Sequence, residues 1–220
     1  MNPRRSAATV FRRREELFPR AMEGTTAPDL ETLEAAVRRD YAGPGRHYHD
    51  VAHLDDCLAQ LSRVEGLAED DRRRLRLALL WHDVIYDPRR RDNEEASAER
   101  ARQELAAAGI AAAEVEEVVR LILLTKGHRV AEGDRRGALL VSIDLSILGA
   151  EAERYRAYAD AIRLEYAHVP EAAYRAGRAA ILRSLLDADP LYPDPAFRDR
   201  LEETARRNLA LELAELTGPI

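Results

Sequence analysis

From about residue 29 onward, apolar residues recur at spacings of three and four, the period of a helix with one buried face. Leu30, Leu33, Val37 and Tyr41 form the first such stripe. Pro28 introduces it, and proline is at home in a first helical turn, where its missing N–H costs nothing. Gly43-Pro44-Gly45 ends the stripe. Leu54, Cys57, Leu58 and Leu61 form the second, with Asp50 placed as N-cap. Leu75, Ala78, Leu79 and His82 form the third, which stops near Asp87-Pro88. A fourth helix is expected from about Asn93 to Ala108, broken at Gly109, and a fifth across Val115, Val118, Val119, Ile122 and Leu123. Residues 127 to 137 read as a polar loop. Leu140, Ile143 and Ile147 mark a short helix closed by Gly149. Tyr155, Tyr158, Ile162 and Tyr166 share the next face, and Tyr174, Ile181 and Leu185 the one after. Beyond Pro190, Pro193 and Pro195, a last helix carries Phe197, Leu201, Leu209, Leu213 and Leu216. No strand-like alternation and no internal repeat interrupts this rhythm. The expectation is an all-α protein: a single compact helical domain over residues 25–220, behind a basic N-terminal tail or helix over residues 1–24.

Composition sharpens that picture. Of 220 residues, 46% are apolar but only 5% aromatic, so aliphatic side chains must fill the core. Ala, Leu, Glu and Arg dominate, and all are strong helix formers. The formal charge of −6 gives no electrostatic reason to expect nucleic-acid binding, although Arg4, Arg5, Arg12, Arg13 and Arg14 make the N-terminus locally basic. An Arg-rich start containing Ser and Ala also suits an organelle transit peptide, but this one runs directly into acidic sequence. A surface-docked helix is the better reading. The single cysteine, Cys57, excludes an intramolecular disulfide and a site built from several thiolates. It suits a reducing, cytoplasmic setting. No apolar run approaches the ~20 residues that span a bilayer, so no membrane partner is expected. A homodimer is compatible with this composition.

The chemistry lies where polar residues interrupt the apolar stripes. His82 follows Leu79, Ala78 and Leu75 by three, four and seven residues, so it projects from a buried face. Asp144 follows Leu140 by four, and His53 precedes Cys57 by four. A buried, unpaired carboxylate would cost several kcal/mol (on the order of 2–7), which a partner, a shifted pKa or a metal can offset. Two imidazoles and two carboxylates from three helices make a mixed nitrogen–oxygen site. Such a site suits one divalent transition metal (Mn, Fe, Co, Ni or Zn) better than Ca, and leaves positions open for water and substrate. His82 and Asp83 cannot share a helical face, but both can reach one ion where the helix ends, as Val84 to Pro88 suggests.

His53, the His82-Asp83 pair and Asp144 resemble the H…HD…D signature of the HD-domain superfamily of metal-dependent phosphohydrolases. The likeness is to a bacterial branch of HD phosphohydrolases, and it extends over Arg46–Asp50, Trp81–Asp87, Asp92–Ser97, Asp144–Gly149 and Ile162–Tyr166. A lone HD pair is a weak signal; the ordered set is a strong one. The resemblance implies His53, His82, Asp83 and Asp144 as metal ligands. It implies hydrolysis of a small phosphorylated metabolite, a nucleotide among the candidates, by metal-activated water.

In that scheme Asp87, four residues past Asp83, is the first candidate to handle the water or the leaving group, with Glu94 and Glu95 after it. Some relatives carry a Glu-Asp pair where this chain has Tyr86-Asp87, which weakens a two-carboxylate mechanism. His49, Arg46, Lys126 and His128 are candidates for binding substrate phosphate. Each also has a plainer reading: Arg46 and Lys126 as surface or ion-paired cations, His128 as a loop histidine, and Glu94 and Glu95 as an acidic first turn favoured by the helix dipole. Cys57 reads as packing. Two other functions stay open. A di-iron oxygenase of HD fold resembles H…HD…H…H…D, and between Asp83 and Asp144 this chain has His128 alone. A non-catalytic metabolite-binding HD protein would need no complete ligand set.

Overall fold

The computed structural model describes residues 29–218; the basic segment expected over residues 1–24 lies outside them. Among the described residues the chain forms nine α-helices and one 3-10 helix, and no strand. The α-helices are α1 (Leu30–Tyr41), α2 (Val51–Ser62), α3 (Glu69–Trp81), α4 (Asn93–Ala107), α5 (Ala112–Leu124), α6 (Arg135–Asp144), α7 (Ala152–Glu165), α8 (Glu171–Leu186) and α9 (Pro195–Thr217). The 3-10 helix, Leu145–Gly149, continues α6 without a break. The fold is all-α, a single compact helical domain.

Helix starts follow local chemistry. Asp29 caps α1 by accepting from the Thr32 amide at 2.7 Å. Asp50 caps α2 through the amides of Ala52 and His53, which fixes the first turn of the helix that carries His53. Asp134 caps α6 through the Gly137 amide. Asp194 caps α9, with Pro195 at its first position.

Helix α3 is the axle. It packs against α1, α2, α4, α5 and α6, and buries Leu75, Leu77, Ala78, Leu79, Leu80 and Trp81. A fully buried Leu contributes roughly 1.5–3 kcal/mol of transfer free energy, so α3 is held firmly at the end that bears His82. Its polar anchor is Trp81, whose indole N–H donates to Glu104 at 2.8 Å. A second layer of α8, α9 and the 3-10 helix closes over α6.

Three expectations need correction here. Helix α3, expected to stop near Asp87-Pro88, already ends at Trp81, and the Arg46 guanidinium takes the carbonyls of Asp83 and Val84 just beyond it. The stretch read as a polar loop to residue 137 already enters α6 at Arg135, because the Asp134 cap starts the helix three residues early. The helix expected over Leu140–Ile147 leaves α-geometry after Asp144 and tightens into the 3-10 turn. Gly149 ends that turn for a reason other than a left-handed cap. A Cβ there would stand 2.6 Å from the Leu201 Cβ, so glycine is what lets α9 approach.

Candidate metal centre

His82 is the C-cap of α3, and Asp83 begins the turn that follows, so neighbouring residues can face one point from two backbone directions. The His82 ring is buried, and its Nδ1 lies 2.8 Å from the Leu79 carbonyl and 3.4 Å from the Tyr41 hydroxyl. A carbonyl can only accept, so Nδ1 carries the proton and Nε2 is left as the donor atom facing inward. His53 reaches the same point from the first turn of α2, and Asp144 from the last residue of α6.

There the four side chains converge. His53 Nε2 and His82 Nε2 are 3.1 Å apart. Asp83 Oδ2 lies 3.1 Å from His82 Nε2 and 3.7 Å from His53 Nε2. Asp144 Oδ1 lies 3.4 Å from His53 Nε2 and 3.6 Å from His82 Nε2. Donor atoms bound tetrahedrally at ~2.0–2.1 Å would stand about 3.3–3.4 Å from one another, so these spacings fit a common ion. The donor set fits as well: two nitrogens and two oxygens suit a first-row transition metal.

His82 and the two carboxylates favour a shared proton. Burial works against charge on His82, yet Asp83 and Asp144 more than offset it, and its pKa stands well above the ordinary imidazole value. Burial likewise opposes charge on Asp144; hydrogen bonds from His128, His53 and His82 outweigh it and hold the carboxyl well below its usual range. Asp83 is lowered in the same way, mainly by His82 against the opposing effect of burial. A metal ion would take the place of that proton.

Cys57 completes a group with His53, His82 and Asp144 in which all donor atoms lie within 4.8 Å of one another. Its sulfur is 3.9 Å from His53 Nδ1 and 3.8 Å from His53 Nε2. Near-equal distances put it across the ring rather than out along the Nε2 lone pair. Burial, with Asp144 and Asp83 nearby, pushes its thiol pKa well up.

The other candidate residues divide. His128 has φ +56°, a left-handed conformation unusual for a residue with a side chain, directly after Gly127 at φ +125°. That turn brings its Nε2 to 3.3 Å from Asp144 Oδ2, on the side away from His53. His49 stacks on Tyr86 at a centroid distance of 4.0 Å, and its Nδ1 lies 2.8 Å from Glu165 Oε2.

Arg46 is committed elsewhere. Its guanidinium donates to the carbonyls of His49, Asp83 and Val84, each at 2.8 Å, and lies over the Tyr41 ring. It therefore clamps the loop before α2 to the turn after α3. Lys126 is ion-paired with Glu95 and also reaches the Arg91 carbonyl, which takes both of those candidates into one surface contact. Asp87 accepts from the Arg89 amide at 2.9 Å, and its own amide donates to the Asn93 side chain. With its side chain 46% exposed, it shapes a turn and makes no hydrogen bond or ion pair with the cluster. Glu94, at the start of α4, is half-buried and makes no such contact either.

Glu165 is the residue that sequence reasoning missed. Its side chain is fully buried, and Oε1 accepts from the amides of His47, Tyr48 and His49 at 2.8–2.9 Å. Oε2 takes the Tyr86 hydroxyl at 2.8 Å and pairs with His49. Burial would raise its pKa; His49 and the amide bonds win, holding it at about 2. It lay within a stretch of family likeness, but nothing in its spacing marked it as buried.

Comparison with protein-family models, with curated proteins and with solved structures finds no match for this chain.

Proposed function

We propose that this protein is a metal-dependent phosphohydrolase of the HD type, acting on a small phosphorylated metabolite. The observation that carries the reading is the meeting of His53, His82, Asp83 and Asp144. Two buried imidazole nitrogens face each other at 3.1 Å, with two carboxylate oxygens beside them. A purely structural role would leave such a group needing a proton or a cation.

One divalent transition metal, Mn, Fe, Co, Ni or Zn, would be held by those four residues. It would lower the pKa of a water molecule and polarise a phosphoryl oxygen. The net reaction adds a water oxygen to phosphorus, breaks the phosphorus–oxygen ester bond and passes a proton to the leaving alcohol. The chain's own contributions are positional. The Leu79 carbonyl fixes the His82 tautomer, Arg46 holds the Asp83 turn to the loop before α2, and His128 steadies the second oxygen of Asp144. An oxygenase reading has thinner support, since His128 adds a single imidazole and His49 is turned onto Glu165.

The test is release of inorganic phosphate from a panel of phosphate esters, with Mn, Co, Ni, Mg and Zn supplied in turn. Activity is expected to require metal and to disappear in Asp83→Ala. Metal-loaded protein that leaves every ester intact, or an Asp83→Ala variant that works as well as wild type, would overturn the reading. Substrate-dependent oxygen consumption would favour the oxygenase instead.

A further inference from the structure

A cavity of about 280 Å³ opens beside the metal centre, with His53, Cys57 and Asp144 on one wall and Tyr48 and Ser146 next to them. Its rim is polar and carries both signs of charge. Arg154 and Arg200 stand with Asp56, Glu151 and the amide of Gln60. Arg154 is ion-paired with Asp56. Arg200 lies over the Phe197 ring at 4.7 Å, and one of its nitrogens donates to Gln60 Oε1 at 2.9 Å. Among the described residues, no carboxylate forms an ion pair with Arg200.

Three features of this cavity bear on what it accepts. Its volume is at the lower edge of the ~300–1,000 Å³ typical of small-molecule sites. It offers no open aromatic face for a nucleobase. The Tyr48 ring is hemmed in by His49, His53 and Tyr158 at centroid distances of 4.6–4.9 Å, and Phe197 is covered by Arg200. The rim pairs acceptors (Asp56, Glu151, Gln60) with donors (Arg154, Arg200), so it would cancel rather than attract a second phosphate. Paired acceptors and donors suit hydroxyl groups, each of which both donates and accepts.

We propose that this cavity binds the body of the substrate, and that the substrate is a sugar or polyol monophosphate rather than a nucleotide. The phosphate lies at the His53/Asp144 end, and the hydroxyl-bearing carbon chain extends toward Arg200 and Gln60. Turnover rests on the hydrolase reading above; binding does not.

The test therefore measures the two separately. Metal-loaded protein is titrated calorimetrically with glucose 6-phosphate, with AMP and with inorganic phosphate, and phosphate release is followed in parallel. Glucose 6-phosphate is expected to bind at least about 10-fold more tightly than AMP. Arg200→Met should weaken the sugar phosphate about 10-fold, the scale of one charged hydrogen bond, and leave inorganic phosphate unchanged. Arg200 is exposed, so this variant should fold normally. AMP binding as tightly as glucose 6-phosphate, or Arg200→Met retaining wild-type affinity for it, would overturn the proposal. Absence of binding by either ester would do the same. Tight, Arg200-dependent binding without phosphate release would uphold the cavity assignment and overturn the hydrolase.

Discussion

Two of the buried groups of charged side chains among the described residues are built on opposite plans. Between α8 and α9, the Arg178 guanidinium meets Glu212 through two contacts, at 2.8 and 3.1 Å. The Tyr158 hydroxyl accepts from Arg178 and the Tyr155 hydroxyl donates to Glu212. Donors face acceptors throughout, and nothing more is required. At the meeting of α2, α3 and α6, by contrast, acceptor faces acceptor. His53 Nε2 and His82 Nε2 look at each other, and Asp83 and Asp144 add two carboxylates. The first group is complete as it stands. The second is complete only with protons or a cation, and that difference separates a structural ion pair from a candidate site.

The comparison breaks most visibly at the closed pair. Arg178→Met keeps the apolar stem but leaves Glu212 buried without its cation. It should cost about 3–5 kcal/mol in urea unfolding, with the metal content of the folded protein unchanged. A loss under about 1 kcal/mol would show that Glu212 finds water on its own, and the contrast between the two groups would weaken.

A smaller effect is expected at Asp87. In the structure its carboxylate accepts from the Arg89 amide, a contact that asparagine can also make. Asp87→Asn should therefore change stability by no more than about 0.5 kcal/mol, and leave both metal content and turnover close to wild type. A fall in turnover of ~10²–10⁴-fold at full metal content would return Asp87 to the reaction as a general acid or base.

The helical fold and the centre of the site were legible in the sequence for one reason. His53, His82 and Asp144 lie on or beside stripes whose apolar neighbours are buried, so their side chains had to be dealt with inside the protein. Helical period was enough to place them. The helix ends at His82, ahead of the Asp87-Pro88 stop that the sequence suggests, and this lets Asp83 turn to the same point. Glu165 was hidden because it meets three backbone amides and the His49 ring in a loop more than 100 residues away, together with the Tyr86 hydroxyl, and no local pattern encodes such a meeting. Arg46 and Lys126 follow the plainer of their two sequence readings, as cations already occupied, and the sequence could not say by what. A cation in sequence carries no sign of the carbonyls or carboxylate that will occupy it, and these two are taken by the Asp83 turn and by Glu95. His128 was half-legible: the glycine before it signalled a turn, but only the left-handed backbone shows where its ring goes.

The central claim is that the open cluster is a metal site, and cobalt tests it most directly. Metal-free protein titrated with Co²⁺ should bind about one ion per chain and develop the visible absorption of a nitrogen- and oxygen-ligated centre. His82→Ala and Asp144→Ala should each lose that absorption and most of the bound metal while remaining folded. Wild-type protein that takes up no cobalt, or variants that bind it undiminished, would contradict the account.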